Sequence, residues 1–506
     1  MAKLIINNFE KGLSNQKDRN LPAGQFYIGD GVDIYSDPGY IQPGIASSVV
    51  TKSDDTPQII TGTFEDILVD SLNAKIYLHG GTKLQQITST TSLAFNADFD
   101  GASHYCYNIA NSAGQVGHNS LIIYPIGTAR KLFYTWSKTS GGNAGNIGMY
   151  PLTGTTFDDD WGTTVPAGAA ASIDYARHPL LEQDGYLWFG NGNKLGKLDG
   201  QTGANGTIVY DALELPVDWE ITKLFSTSNY IGIIAWLKGT SGTNTPCRIY
   251  FYDGSSDSWS FFIPIQENVI YDAINKNGEI LFVGGGREQQ GVLYRLGDKG
   301  AVKIMALKHY INGTEIKAGT GTYPHALAVQ NNLLLIGNPD YGNVIWAYGQ
   351  KEEGSPISFS MPYRFSTGVL QTDQIKTVKP IDSDNILVSW ADATIRYLSK
   401  ILLTATARTG ANFKSGYTDF GQRVRVNYVK FYFKPLASGD NVTVSLDTNY
   451  GTSNTLGTIS YAKDGAITEK IFRKQITCHS FRPVISWTAG KTAISKIVIS
   501  YNFISD

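Results

Sequence analysis

The sequence predicts an all-β chain: a seven-bladed β-propeller with an extended N-terminal arm and a C-terminal β-sandwich. Three observations carry this. A strand–turn–strand unit recurs between residues 59 and 400, Gly/Pro punctuation fills residues 1–58, and strict apolar/polar alternation runs through 401–506. The units read Asn73-Ala-Lys-Ile-Tyr-Leu, Asn119-Ser-Leu-Ile-Ile-Tyr, Asp184-Gly-Tyr-Leu-Trp-Phe, Asn229-Tyr-Ile-Gly-Ile-Ile, Asn277-Gly-Glu-Ile-Leu-Phe-Val, Asn332-Leu-Leu-Leu-Ile and Asn385-Ile-Leu-Val-Ser-Trp. One turn residue from each (Asn73, Asn119, Gly185, Asn229, Gly278, Asn332, Asn385) gives spacings of 46, 66, 44, 49, 54 and 53. Strand repeats of roughly 40–50 residues are the mark of propeller blades.

In chain order, the arm comes first. Gly12, Pro22, Gly24, Gly29, Gly31, Pro38, Gly39, Pro43 and Gly44 interrupt it too often for a helix, leaving short apolar pieces such as Phe26-Tyr-Ile and Val32-Asp-Ile-Tyr. Within the repeat, a strand precedes the turn in Ile270-Tyr-Asp-Ala-Ile, His325-Ala-Leu-Ala-Val and Ile375-Lys-Thr-Val. Aromatic third strands follow in Leu132-Phe-Tyr-Thr-Trp, Arg248-Ile-Tyr-Phe-Tyr, Val292-Leu-Tyr-Arg-Leu, Val344-Ile-Trp-Ala-Tyr and Thr394-Ile-Arg-Tyr-Leu. Fourth strands read Trp259-Ser-Phe-Phe-Ile, Ala301-Val-Lys-Ile-Met and Ile357-Ser-Phe-Ser-Met. Four strands per unit is the blade count of a propeller. The 66-residue interval is read as an inserted loop over Gly141 to Ala171. Beyond 400, segments such as Arg423-Val-Arg-Val-Asn-Tyr-Val and Ile494-Ser-Lys-Ile-Val-Ile predict half-buried strands of a separate sandwich.

Composition agrees and excludes several functions. Gly 54, Tyr 29 and Phe 22 suit short strands and tight turns, and 42% hydrophobic content is enough for packed cores. Net charge is −2 without a basic run, so dedicated nucleic-acid binding is not indicated. A near-neutral wall still suits a conduit through which DNA passes without sticking. Cys106, Cys247 and Cys478 are far apart and odd in number, which reads as free, mostly buried thiols. No Cys/His spacing fits zinc, the N-terminal apolar run is too short for a signal peptide, and no stretch reaches membrane-spanning length. The expectation is a soluble chain made in a reducing cytoplasm, with no cofactor and no metal.

Each chemical candidate in the sequence also has a structural reading. Val283-Gly-Gly-Gly and Gly190-Asn-Gly-Asn-Lys-Leu-Gly lack Gly-Lys-Ser/Thr and lead into strands, so they read as blade turns, not phosphate loops. Asp158-Asp-Asp-Trp161 and the Asp253 to Asp257 turn are the densest acidic pieces. A glycosidase needs two opposed carboxylates; consecutive Asp residues suggest a solvated tip or at most a weak cation site. The histidines at 79, 104, 118, 178, 309, 325 and 479 show no pairing with a nucleophile or metal partner. Asn205, Asn312 and Asn441 open Asn-x-Thr sequences that matter only after secretion. Tyr252-Asp-Gly-Ser-Ser-Asp-Ser-Trp259 resembles the closing turn of a kelch blade; it occurs once and supports blade geometry.

A family resemblance lies in the flanks. Asn8-Phe-Glu-Lys-Gly-Leu-Ser-Asn-Gln, Leu21-Pro-Ala-Gly-Gln and Gly31-Val-Asp-Ile-Tyr-Ser-Asp-Pro-Gly-Tyr-Ile-Gln-Pro-Gly resemble the opening of tail-nozzle, or tail-hub, proteins of short-tailed bacteriophages, the tail tubular protein B-like family. Lys11 stands where that pattern has its first Gly, and Gln42 where it often has a basic residue. Asp419-Phe-Gly-Gln-Arg-Val-Arg-Val and Pro435-Leu-Ala-Ser-Gly-Asp-Asn-Val-Thr-Val look like the accessory sandwich that follows propellers in phage structural proteins.

The resemblance implies a non-enzymatic virion protein of the tail or neck, assembled in the host cytoplasm as a ring of about six copies around the DNA exit. It would dock adaptor and fibre proteins and let genomic DNA pass without sequence-specific contact. An arm so rich in Gly and Pro buries itself poorly, so Phe9, Gly12, Leu13, Pro22, Gly24, Pro38, Gly39, Pro43 and Gly44 are expected at a subunit interface. Cyclic symmetry would make that contact heterologous and self-closing. The alternatives are a carbohydrate-active or glycan-binding propeller, and a capsid-bound or distal-tail receptor-binding protein.

Overall fold

The computed structural model describes residues 2–7, 9–14, 21, 25–50, 64–80, 83–96, 99, 106–109, 120–137, 145–168, 177–237, 247–267, 269–285, 291–297, 300–311, 314–317, 327–337, 344–350, 357–365, 374–391, 396–403 and 410–504. Among them the only helices are the single turns Trp161–Thr164 and Tyr461–Asp464. No helix there is long and apolar enough to cross a membrane.

The body is a β-propeller. Six antiparallel meanders are sheets of their own. The first four open with the strands Asp66–Asp70, Leu121–Ile126, Leu180–Gln183 and Trp219–Ser226. The next runs from Val269–Lys276 to Thr314–Lys317. The last joins Gln374–Pro380, Asn385–Ala391 and Arg396–Leu402 to the arm strand Ser47–Val49. Another meander, Leu327–Gln330, Leu333–Gly337, Val344–Gly349 and Ser358–Arg364, lies between the last two. First strands touch in succession around the axis, and Gln374–Pro380 returns to Asp66–Asp70.

The turns explain why the chain folds back where it does. Asp184-Gly185, Asn277-Gly278 and Asn331-Asn332 carry paired positive φ values (55 and 80, 54 and 87, 47 and 64). Those are the dihedrals of two-residue hairpins whose twist matches the flanking strands, and Asn, Asp and Gly tolerate them best. Each blade's two apolar faces are then covered by its neighbours. Tyr77, Leu132 and Tyr150 pack between the first two blades, Phe133, Leu187 and Phe189 between the next two, and Trp188, Ile233 and Tyr250 between the third and fourth. Ile67, Ile76, Leu387 and Leu398 seal the last blade against the first.

Four expectations change. Six blades, not the expected seven, stand as sheets of their own; the meander Leu327–Arg364 is one end of a 15-stranded sheet. That happens because Gly12–Leu13 and Ile28–Asp30 of the arm pair in parallel with its outer strand, Gly12 opposite Phe359 and Asp30 opposite Met361. The C-terminal strands are not a separate sandwich either, since they continue the same sheet. Asn412–Lys414 pairs with Ile28–Asp30 on one side and with Ile476–Ala489 on the other, while Ala2–Ile6 pairs with Ile494–Phe503. One buried cluster accordingly runs from Phe9 and Phe26 through Trp346 to Phe413 and Trp487.

The interval read as an insertion contains the blade strand Gly145–Tyr150, and Trp161 beyond it is buried against Phe133. The turn joining the first two strands of that blade is Gly127-Thr128; Asn119 lies ahead of them, outside the described residues. With Gly127 in place of Asn119 the intervals become 54 (73 to 127) and 58 (127 to 185), which removes the irregularity. Lastly, the arm does not end at residue 58 as a unit apart, because Ser47–Val49 is a strand of the last blade.

Candidate functional site

Three places bring chemistry-bearing side chains together: the arm seam, the propeller axis, and a groove between a blade and the meander Leu327–Arg364. At the seam, Phe9 meets Phe413 edge-on with centroids 5.6 Å apart, and Phe26 lies 5.3 Å from the same ring. Phe9 and Leu13 are each 2% exposed. Gly12 has φ +70, and a Cβ there would stand 2.1 Å from the Phe359 carbonyl oxygen; at Gly44 it would stand 2.0 Å from that of Pro362. Backbone meets backbone at both, so only glycine fits. Tyr35 Oη donates to the carbonyls of Ala347 (2.7 Å) and Ser358 (3.0 Å), and Ser360 Oγ donates to that of Val32 (2.6 Å). Pro43 is buried, Gly39 half-buried and Pro38 exposed. Pro22 and Gly24 lie outside the described residues. The arm therefore buries itself well within its own chain, contrary to the expectation from its composition. Backbone pairing and aromatic anchors supply what its short apolar pieces lack.

On the axis, Asp272 accepts from the backbone N–H of Ala273 (2.9 Å) and of Leu327 (3.0 Å), the first residue of the meander Leu327–Arg364. The Lys223 ammonium, from the preceding blade, sits 3.0 Å from Oδ1 of the same Asp272 carboxylate. Asp66 repeats the pattern, accepting from Ile67 N (2.8 Å) and Leu121 N (2.7 Å). Burial pushes both carboxyls above the usual range; Lys223 and the two backbone donors pull Asp272 back, and Lys379, Leu121 and Lys223 oppose the rise at Asp66. In the last blade Thr377 Oγ1 donates to the Glu65 carbonyl (2.8 Å) at the start of the first. Register shifts at Ile221/Lys223, Ile270/Asp272 and Ile375/Thr377 aim these side chains along the ring. This chemistry fastens blades. The signal for it was visible, since Asp272 interrupts the apolar run Ile270-Tyr-Asp-Ala-Ile.

The groove lies between the blade Val269–Lys317 and the meander Leu327–Arg364 and encloses about 840 Å³. Lys276, Glu279, Arg295, Lys303, Asn277, Asn332 and Tyr348 line it. Arg295 Nη1 is 3.6 Å from Glu279 Oε1. Burial, and then the Glu279 carboxylate, raise the Tyr348 phenol, with Arg295 opposing. A smaller cavity of about 230 Å³ opens between the arm, at Asp33 and Ile45, and the turns at Asn331 and Asp384.

The acidic pieces separate. Asp253 is exposed and accepts from Ser255 N, Ser256 N and Ser256 Oγ, which holds its carboxyl down at about 2; it is a solvated turn. Asp159 is instead buried, with Tyr134 Oη at 2.5 Å and Tyr107 Oη at 3.0 Å donating to it, so that stretch is not a solvated tip. No group of His, Cys, Asp and Glu able to hold a metal occurs among the described residues. None of the three cysteines is in a disulfide; burial raises the Cys247 thiol to about 12 and the Cys478 thiol to about 11. His79 is buried and bonds the Thr135 carbonyl at 2.9 Å, and desolvation lowers it to about 3.

No protein-family model matches the sequence, and no curated protein matches it. Among solved structures, Drosophila Semaphorin 2a is similar at 7% identity, over 75% of this chain and 77% of that one, with a TM-score of 0.43. The Dos1 propeller is similar at 12% identity over 76% and 94%, TM-score 0.39. An exo-β-1,3-galactanase from Phanerochaete chrysosporium is similar at 10% over 66% and 98%, TM-score 0.29.

Proposed function

We propose that this chain is a non-enzymatic structural component of a tailed-bacteriophage virion. Its place would be the tail nozzle or hub, where copies form a ring around the DNA exit and dock other tail proteins. The observation that carries the reading is the arm: its Gly/Pro segments, which hold the resemblance, tie the propeller rim to the C-terminal strands through parallel pairing at Phe359 and Met361 and antiparallel pairing at Asn412–Lys414. A protein that bears load at a channel mouth gains from such cross-linking of its parts. In this reading the meander Leu327–Arg364 counts as a blade, giving seven, and the C-terminal strands extend its sheet through the arm.

The test is assembly of the full chain. Electron microscopy of the purified protein, alone and mixed with the tail proteins encoded beside it, is expected to show closed rings of fixed order. Monomers under both conditions at micromolar concentration would sink the proposal.

A further inference from the structure

We propose that the outer face of the C-terminal sheet is a docking surface for a second copy of this chain, which it takes by the acidic rim of the blade Leu180–Glu214. Such a contact rests on the assembly proposed above and would be the one that joins its subunits. Charge is divided unevenly along the chain. Residues 401–506 hold 13 Lys and Arg against 6 Asp and Glu, a net of +7 (13 minus 6) with Asp506 included. Residues 151–260 hold 6 Lys and Arg against 13 Asp and Glu, a net of −7 (6 minus 13). The whole chain is only −2, so each excess is hidden in the total. Identical copies set head to tail bring one excess against the other, which is the heterologous contact that a ring repeats.

The basic side is built by register. Ala2–Ile6, Ile494–Phe503 and Thr418–Phe433 are neighbours in the sheet, and Glu469–Phe472 pairs with the last of these. Val429, Phe431, Ile497 and Ile499 are buried in the core, so the residues between them face outward. On that outer face Ile5, Val498, Lys430 and Ile471 form one row across four strands, and Lys496, Tyr432 and Glu469 form the next. The Lys430 ammonium meets Glu469 at 2.7 Å, which leaves Lys496 and the exposed Lys3 and Arg425 to set the sign. Ile5 and Ile471 are 49% and 40% exposed among them. The acidic side is a blade rim. Its outer strand, Thr207–Glu214, carries Asp211 and Glu214, and Asp218 follows in the next turn, all three exposed. Lys194 comes no nearer to Asp211 than 3.9 Å. Tyr252 Oη donates to the Ala212 carbonyl at 3.2 Å, which ties the exposed Asp253 to Asp257 turn of the following blade to this rim. Val209 and Val217 are exposed here, so each side offers charge around a small apolar surface. Nucleic acid is the poorer occupant. Residues 1–400 carry −9 (−2 minus +7) and repel it, and the Tyr432 ring already holds the Lys430 and Lys496 ammoniums at 4.4 and 5.3 Å, where a base would stack.

The test is association of the full chain, alone and mixed with the tail proteins encoded beside it, followed by analytical ultracentrifugation. Lys3→Glu with Arg425→Glu and Lys496→Glu reverses the sheet face; Asp211→Lys with Glu214→Lys and Asp218→Lys reverses the rim. Either set should weaken association about tenfold or more. Raising salt from about 50 to about 500 mM, which shortens the screening length about threefold, should do the same. A chain carrying both sets has its signs exchanged and should associate again, a rescue that a merely structural defect does not give. Thermal unfolding checks each variant, and the rim set, all at exposed positions, decides alone if the sheet set unfolds. Wild-type assembly that neither set weakens would overturn this contact and leave the ring standing. A wild-type chain that stays monomeric under both conditions overturns the contact and the ring together. Binding of poly(dT) that the sheet set abolishes, with self-association unchanged, would overturn the contact in favour of nucleic acid.

Discussion

The meander Trp219–Ile265 and the meander Leu327–Arg364 are built alike and end differently. At the axis one carboxylate holds both: Asp272, from the blade between them, takes the Lys223 ammonium of the first and the Leu327 N–H of the second. At the rim they part. Among the described residues the outer strand Phe261–Ile265 is an edge, with Phe261 43% and Phe262 42% exposed. The outer strand Ser358–Arg364 is covered by the arm, so Phe359 is 2% exposed and Met361 fully buried. A bare edge strand is a place where another chain can add. Among the described residues the arm covers one such edge, where it anchors the C-terminal strands, and pairs with no part of the other.

The largest effect is expected where the two rims differ most. Phe413, fully buried against Phe9 and Phe26, joins the covered rim to the C-terminal strands. Phe413→Ala should cost about 3–5 kcal/mol, seen as a lower urea midpoint. A loss below about 1 kcal/mol would mean that the arm is held by its backbone pairing alone.

The shared axis gives the next. Lys223→Met leaves Asp272 buried without its cation, a change of ~3–5 kcal/mol when one partner of a buried pair is removed; the Lys223 side chain is 14% exposed, so the lower end applies. The Asp272 carboxyl is raised in the folded state, so folding takes up protons there, and that contribution is present at low pH and lost as pH rises through the raised value. Without Lys223 the carboxyl rises further. The defect should be largest at pH 7 and shrink towards pH 4, and urea titrations at both values measure it. A pH-independent loss would show that Asp272 keeps its charge compensated by the backbone donors.

The smallest effect sharpens the contrast. Phe262→Ser on the bare rim should change stability by no more than about 0.5–1 kcal/mol, although Arg248 packs over its ring at 4.8 Å. If the same substitution abolishes ring formation in electron micrographs, the open rim is a partner surface.

Much of the fold was legible because its causes are local. Asp184-Gly185 and Asn277-Gly278 announce hairpins because the backbone there needs positive φ, and the strands around them alternate or run apolar as the blade faces require. The second blade was misread because Gly127-Thr128 is a weak turn signal and the strand Gly145–Tyr150 carries two glycines, Gly145 and Gly148. The groove was hidden for another reason. Lys276, Arg295 and Tyr348 stand on different strands, and only the stacking of a blade on the meander Leu327–Arg364 makes them neighbours.

By itself the sequence determined that this is an all-β repeat, where most of its hairpins turn, and that a Gly/Pro arm precedes them, since period, turn chemistry and composition act over a few residues. Tertiary structure alone decided what the arm does. Pairing Ser47–Val49 with Arg396–Leu402, or Gly12 with Phe359, closes loops of roughly 350 residues (401 minus 47, 359 minus 12). No local preference encodes such a contact; it forms because the covered blade edge and the buried Phe9, Phe26 and Phe413 together outweigh the entropy of closing the loop.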